Sequence, residues 1–219
     1  MIVPAQKLPE QSEYFENPCH VSSIPYWKTK LVTVPDGMLI LHQDDYDELE
    51  HSQYIDEPYF RLSHDLQGLS APSLPQGYSL CDATLSDFAR HIDRCYANIG
   101  VSEAELQNYT TRPVYDPSLW LAVKDNLTSE IVASGIGELD REIGEGVLEW
   151  IQVSEEHRGR GLGVYIVSEL LWRMSGTARF ATVSGQRLNP TNPEALYRRC
   201  GFVGSDIWHI LRKRESISL

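Results

Sequence analysis

From residue 77 onward the apolar positions of this chain switch repeatedly between a period of about two and a period of about 3.6. "YSLCDA" predicts a short strand. Thr84 and Asp87 have the spacing of a capping box, and Phe88, Ile92, Cys95, Tyr96 and Ile99 behind them fall on one helical face, with Gly100 as the expected stop. Ser102 and Glu105 predict a second, shorter helix. Three strands follow over 119–123, 130–139 and 147–153, joined by short polar turns that suit antiparallel neighbours. Leu162, Ile166, Val167, Leu170, Leu171 and Met174 line one face of a longer helix. Residues 180–185 give another strand. A helix over about 192–200 then starts at a Thr191 or Asn192 cap, with Pro193 in its first turn, and stops at Gly201; 207–213 close as a strand. The order is β-α-α-β-β-β-α-β-α-β. It predicts an α+β fold with a mixed, mostly antiparallel sheet and one parallel βαβ crossover, from 147–153 through the long helix to 180–185.

The first third has a different texture. "KLVTVPDGMLILH" reads as two strands around Asp36-Gly37, a hairpin signal. "DDYDELE" (44–50) is a solvated helix face or loop. "GLSAPSLPQG" (68–77) has the composition of a boundary. The expected division is a β-rich N-terminal extension over 1–75 and a main domain over 76–219. "NPCHVSSIPYWK" (17–28) reads first as a packing segment of that extension. His64-Asp65 is a weak catalytic signal, because adjacent side chains of a strand point to opposite faces.

Charge and composition exclude several classes. The formal net charge is −12 over 219 residues, the wrong sign for a phosphate backbone, so no nucleic-acid partner is expected. It is compatible with a cationic partner such as an amine. No apolar run approaches the roughly 20 residues needed to cross a bilayer. "MIVPAQKLPEQSEYF" carries prolines and acids where a leader would carry an apolar core, so the expected location is cytoplasmic. Cys19, Cys81, Cys95 and Cys200 lie far apart, without a CxxC pair or histidines at zinc-ligand spacing. They read as reduced, mostly buried thiols, and no metal is expected.

Three glycines at alternate positions, Gly159, Gly161 and Gly163, precede the long helix in "EEHRGRGLGVYIV" (155–167). A helix N-terminus offers unpaired N–H groups and a partial positive charge, and glycines ahead of it let an anion reach the amides with no Cβ in the way. Phosphate is the first candidate. A Walker loop fails because Gly163 is followed by Val164-Tyr165, and a dinucleotide GxGxxG fails because position 164 is valine.

"RGRGLG" (158–163) does match Arg/Gln-x-x-Gly-x-Gly/Ala, the loop that opens the main helix of the GNAT acetyltransferases. "NPEALYRRCGF" (192–202) resembles that family's second signature, and the order of predicted elements from about 77 to 213 is the GNAT order. The chain thus resembles a bacterial-type GNAT protein with an N-terminal extension, over roughly its C-terminal two-thirds.

The resemblance implies acetyl-CoA as cosubstrate. The backbone of Ile151 and Val153 would hold the pantetheine arm in a gap between splayed strands. Amides of Arg158, Gly159, Gly161 and Gly163 would hold the pyrophosphate, with the Arg158 and Arg160 guanidinium groups near the phosphates. Asn192 resembles the asparagine that contacts the arm, with Asn189 as a rival. Tyr197 resembles the tyrosine facing the CoA sulfur and would protonate the leaving thiolate, the alternative being an aromatic that fills the core.

Transfer to an amine also needs a base or a water chain. Glu149 is the preferred base, on the argument that strand alternation places it on the face of Ile151 and Val153. Glu138 and Asp140 are reserves; alternatively, Glu138, Glu142, Glu145 and Glu149 together would attract a cationic acceptor with none of them acting as the base. His157 reads as an exposed loop residue and Cys200 as packing, so no covalent enzyme intermediate is expected. The implied activity is direct acetyl transfer to a small-molecule or peptide amine. Alternatives are a non-catalytic acyl-CoA-binding sensor and O-acyl transfer. A homodimer is the frequent state of such proteins.

Overall fold

The computed structural model describes residues 9–96 and 99–214. The described residues begin with three short helices, α1 (Gln11–Glu16), α2 (Pro18–Val21) and α3 (Tyr26–Thr29), followed by strands β1 (Met38–His42), β2 (Tyr54–His64) and β3 (Tyr78–Cys81). Helices α4 (Leu85–Cys95) and α5 (Glu103–Tyr109) precede strands β4 (Trp120–Asp125), β5 (Ile131–Asp140) and β6 (Glu145–Val153). Helix α6 (Leu162–Met174), β7 (Phe180–Gln186), α7 (Pro193–Arg199) and β8 (Val203–Lys213) complete it. The fold class is the expected one, α and β mixed, with mostly antiparallel strands and one parallel pair. Residues 1–8, on which the leader reading partly rests, lie outside the described residues. Among the described residues no helix is long and apolar enough to cross a membrane.

Local side chains set the helix starts. Thr84 Oγ1 accepts the Asp87 N–H at 3.2 Å while the Asp87 carboxylate accepts the Thr84 N–H at 2.9 Å, and Ser102 with Glu105 repeats the reciprocal pair at α5. These bonds hold both carboxyls below their ordinary pKa. The end of α4 differs from expectation: it stops at Cys95 and not at Gly100, and Ile99 is exposed. Tyr96 turns extended, which lets its ring meet Trp150 edge-on at 5.7 Å and its hydroxyl donate to the Ile151 carbonyl at 3.3 Å. A tertiary contact thus ends the helix before the local glycine can.

Two compact units divide the chain differently from the 75/76 boundary. One comprises residues 64–181 with 199–201. Its strands lie in the order β6-β5-β4-β3, each pair antiparallel. Helix α6 packs on one face of β5 and β6, where the absence of a side chain is needed: a Cβ at Gly135 would stand 2.4 Å from Ile166 Cγ2, and one at Gly137 2.7 Å from Met174 Cε. The intervening residues Ser134 and Ile136 face the other way, onto α4 and α5. There Phe88, Ile92, Val101, Leu106, Ala122 and Ile136 form a buried cluster.

The other unit comprises, among the described residues, 9–63, 182–198 and 202–214, with strand order β1-β8-β2-β7. The expected hairpin does not form. Residues 30–34 are not a strand, Asp36-Gly37 makes only the turn (Gly37 φ 80), and β1 pairs antiparallel with β8, Met38 opposite Arg212 and His42 opposite Trp208. The segment is therefore β-rich only after three helices. Residues 44–50 form two turns joined by irregular chain at 46–47, and 17–28 pack as expected, burying Cys19, Tyr26 and Trp27. Arg61 is 1 % exposed; its guanidinium donates to Tyr14 Oη at 2.9 Å and Ser184 Oγ at 3.2 Å, tying the first helix to this layer.

Candidate active site

The end of β6 is shaped by a bulge. Gly135 of β5 stands opposite Ile151 and Gly137 opposite Leu148, so Glu149 and Trp150 together oppose the single residue Ile136. The extra residue breaks the alternation. Before the bulge the α6 side carries Gly146 and Leu148; after it that side carries Ile151, whose Cδ1 lies 3.1 Å from the place of a Gly135 Cβ. Counting by twos from Ile151 therefore no longer assigns a face to Glu149, and the alternation argument for it fails. Glu149 is half-buried, next to Trp150, which packs against the cluster under α4 and α5.

Beyond the bulge the ladder orients the backbone. Ser154 N–H donates to Val132 C=O at 2.9 Å. In an antiparallel pair hydrogen-bonded positions alternate, so 132/154 and 134/152 are the bonded pairs, and Ile151 and Val153 direct their N–H and C=O groups away from β5. The Ile151 carbonyl meets the Tyr96 hydroxyl, and the Val153 carbonyl accepts from Arg158 Nε at 3.3 Å.

The glycine loop follows at once. Gly159 and Gly161 have φ of 73 and 86, left-handed values that cost an L-residue roughly 1–2 kcal/mol. A Cβ at Gly159 would meet nothing within 4 Å, and at Gly161 only Pro75 Cγ at 3.5 Å. Space is open over the loop, and conformation is what demands glycine there. Gly161 caps α6 without a side-chain bond, and the first intrahelical bond runs from Tyr165 N–H to Gly161 C=O at 3.0 Å. The amides of residues 162–164 are thus the helix's orphan donors.

Two residues that the sequence did not link to this loop, Tyr78 and Pro75, buttress it. Tyr78 Oη lies 3.0 Å from His157 Nδ1 and accepts from Arg160 Nη1 at 3.1 Å, and Pro75 covers Gly161. Arg160 Nη2 also donates to the Glu156 carbonyl at 2.9 Å. His157 is half-buried, not an exposed loop residue. Tyr78 and Arg160 are far apart in sequence, so no local pattern could have linked them.

Behind β6, His91 of α4 is 2 % exposed, with Nδ1 2.8 Å from Ser134 Oγ and Nε2 3.1 Å from Ser154 Oγ. Burial pushes its pKa down to about 4, so the ring is neutral near pH 7. Glu138 is buried against Arg112, whose Nη1 lies 2.5 Å from Oε1, and Asp140 Oδ1 accepts the Glu142 N–H at 2.9 Å in the β5–β6 turn. Both reserve carboxylates are held by structural partners. All four cysteines are free thiols; Cys19 is buried and the other three half-buried. Burial raises the pKa of Cys200, 4.0 Å from the Val164 carbonyl, away from thiolate chemistry. A groove of about 450 Å³ beside α4 and β4, with Asp82, Asp87, Arg90, Arg94, Lys124 and Glu130 among its lining, mixes both signs of charge and does not include the loop.

Tyr197 and Asn192 belong to the other unit. Tyr197, on α7, is 5 % exposed, with its ring 6.1 Å from Phe60 and 5.7 Å from Phe202. Asn192 is the cap of α7: it takes a left-handed φ of 49, and its Oδ1 accepts the Ala195 N–H at 3.3 Å. The rival Asn189 bonds the Thr191 N–H at 2.9 Å.

Residues 116–204 match the family model described as an acetyltransferase (GNAT) domain. No curated protein sequence matches the chain. Among solved structures it is similar to a GCN5-related N-acetyltransferase from Sphaerobacter thermophilus, with TM-score 0.65 and 20% identity over 95% of this chain and 67% of that one. It is also similar to a putative GNAT-family acetyltransferase from Novosphingobium aromaticivorans (TM-score 0.52, 13% identity, 84% of this chain, 71% of that one). A third is a GNAT-family acetyltransferase from Colwellia psychrerythraea (TM-score 0.57, 14% identity, 80% of this chain, 64% of that one). At such identities these three are likenesses of fold. Together with the match over residues 116–204 and the glycine loop at the head of α6, they show that this part of the chain is similar to a GNAT acetyltransferase domain in sequence and that the chain is similar to GNAT proteins in fold.

Proposed function

We propose that the protein is an acyl-CoA-dependent N-acetyltransferase that moves acetyl from acetyl-CoA directly to an amine, carried by a small molecule or a peptide. One observation carries the reading: the outward-facing backbone of Ile151 and Val153 runs directly into a glycine loop that opens a helix with orphan amides. A pantetheine arm can pair with the first like an added strand, and a pyrophosphate suits the second. The space over Gly159 fits the group, because a Cβ there would meet nothing within 4 Å.

In this reading the amides of Arg158, Gly159, Gly161 and Gly163 take the pyrophosphate, and Arg158 and Arg160 add charge after exchanging their present carbonyl partners for phosphate oxygens. Asn192 contacts the arm through its side-chain amide. Tyr197 donates a proton to the departing sulfur, and Glu149 draws the proton from the attacking amine, directly or through water. A cytoplasmic location belongs to the same reading, since four free cysteines suit a reducing compartment.

The test is incubation of the purified chain with acetyl-CoA and a panel of amines, amino acids, polyamines and aminoglycosides, following CoA release and acetylated products by mass spectrometry. A product is the expected result. CoA binding without product from any acceptor would favour the sensor alternative, and no CoA binding would overturn the loop assignment.

A further inference from the structure

We propose that His20, His42 and Asp206 bind one divalent transition-metal ion of the zinc type, at a site separate from the acyl-transfer reading and resting on none of it. The three residues come from α2, β1 and β8, and their ligand atoms all lie within 4.8 Å of one another. His42 Nε2 is 3.2 Å from Asp206 Oδ1, and His20 Nδ1 is 3.4 Å from the same oxygen. Tetrahedral bonds of about 2.0–2.1 Å place neighbouring ligand atoms roughly 3.3 Å apart, so two edges of the coordination figure already have the right length. The third edge closes by a small swing of His20, whose side chain is 49% exposed and has room to move.

The surroundings are those of a ligand set held in place. His42 and Asp206 side chains are only 6% and 13% exposed. The other nitrogen of His42, Nδ1, lies 3.3 Å from Asp44 Oδ2. Nδ1 also accepts the Asp44 N–H at 3.3 Å; with a metal on Nε2 the ring proton moves to Nδ1, which turns from that N–H to the adjacent Asp44 carboxylate, the carboxylate–histidine–metal arrangement that orients ligating imidazoles. Trp208 meets the His42 ring edge-on at 5.2 Å, and its Nε1 donates to the Cys19 carbonyl at 2.8 Å, which fixes α2 on β8 before any ion arrives. Two imidazoles and one carboxylate favour zinc, cobalt or nickel over calcium or magnesium, which seek oxygen shells. The exposed side of His20 leaves the fourth position to water. Binding displaces any proton on Nε2 to Nδ1 or into solvent, and the ion adds a cross-link among α2, β1 and β8 to the hydrogen bonds and packing that already join them.

The experiment uses the full chain after treatment with a chelator that is then removed. Zinc is titrated in competition with a chromophoric chelator, and cobalt serves as the spectroscopic probe, with the Trp208 share of the emission, taken as the difference between wild type and Trp208→Phe, recorded alongside. The proposal expects one ion per chain, visible cobalt bands of nitrogen and oxygen ligation, quenching of Trp208, and a zinc-dependent rise in the unfolding midpoint. In His20→Ala, which alters an exposed side chain, and in Asp206→Asn, affinity should fall at least about 100-fold and the rise in midpoint should vanish. Circular dichroism of each variant checks that it is folded. Zinc binding unchanged in both folded variants, cobalt bands of thiolate ligation, or no stoichiometric binding by the wild-type chain would each overturn it.

Discussion

Ser154 N–H donates to Val132 C=O at 2.9 Å, and this ladder bond sets the direction in which the last residues of β6 present their backbone. By alternation Gln152 is bonded inward to Ser134, while Ile151 and Val153 point outward. The same short segment therefore has one set of groups that pairs with β5 and another directed away from it, in which the Ile151 carbonyl accepts from Tyr96 and the Val153 carbonyl from Arg158.

Proline substitution separates the two sets. Val153→Pro removes an outward N–H and should weaken CoA binding at least about tenfold while leaving the pairing with β5 intact. Gln152→Pro removes an inward bond and should lower the unfolding midpoint further than Val153→Pro does. Calorimetric CoA titration and thermal unfolding of both variants measure the contrast; equal CoA affinity in Val153→Pro and wild type would remove the arm from this edge.

Gly161→Arg imposes a Cβ on a left-handed residue with φ 86 and puts a long side chain over the orphan amides of α6. The strain costs roughly 1–2 kcal/mol of stability, and CoA affinity should fall by more than about 100-fold. Differential scanning calorimetry reads the first effect and equilibrium binding the second. Affinity equal to wild type would sink the phosphate assignment.

Tyr197→Phe keeps the ring that packs between Phe60 and Phe202 and deletes only the hydroxyl. In the proposed reaction kcat falls roughly 10²-fold with the Kd for CoA nearly unchanged. Glu149→Gln should lower kcat more at neutral than at alkaline pH, where the amine is already deprotonated. Undiminished turnover in Tyr197→Phe would assign that tyrosine to packing alone.

His91 makes stability depend on pH. Its folded-state pKa of about 4 lies below the ordinary value of 6.5, first because of burial and also because of the nearby Arg94 charge. The unfolded chain therefore binds the extra proton first, so this contribution is complete above pH 6.5 and is lost as pH falls from 6.5 toward 4. At about 1.4 kcal/mol per pH unit, up to about 2 kcal/mol should disappear between pH 6.5 and 5. His91→Gln should flatten that limb in urea unfolding. The carboxylates held low by hydrogen bonds, such as Asp87, act further down the scale.

Much of this protein follows from local pattern. The capping boxes at Thr84 and Ser102, the apolar face of α6 and the glycine loop are each written within a few residues, because helix caps, helix faces and left-handed turns are short-range physics. The order of elements along the chain from β3 to β8 was legible for the same reason. Local pattern misled where a distant partner competed. Residues 30–42 look like a hairpin, yet β1 takes β8 as its neighbour, and α4 ends early because Tyr96 finds Trp150.

The bulge at Glu149-Trp150 belongs to the tertiary structure alone. Alternation in sequence assigns a face to Glu149, but pairing with β5 inserts an extra residue and shifts every later position by one. The buttress of Arg160 on Tyr78 and the cluster of His20, His42 and Asp206 have no sequence signature either, since their members meet only when strands distant along the chain become neighbours. The sequence by itself determined most of the elements from residue 77 onward and the glycine loop, whose causes lie within one helical turn. Tertiary pairing decided which side chains and backbone edges those elements bring together, because that depends on which strand wins each neighbour.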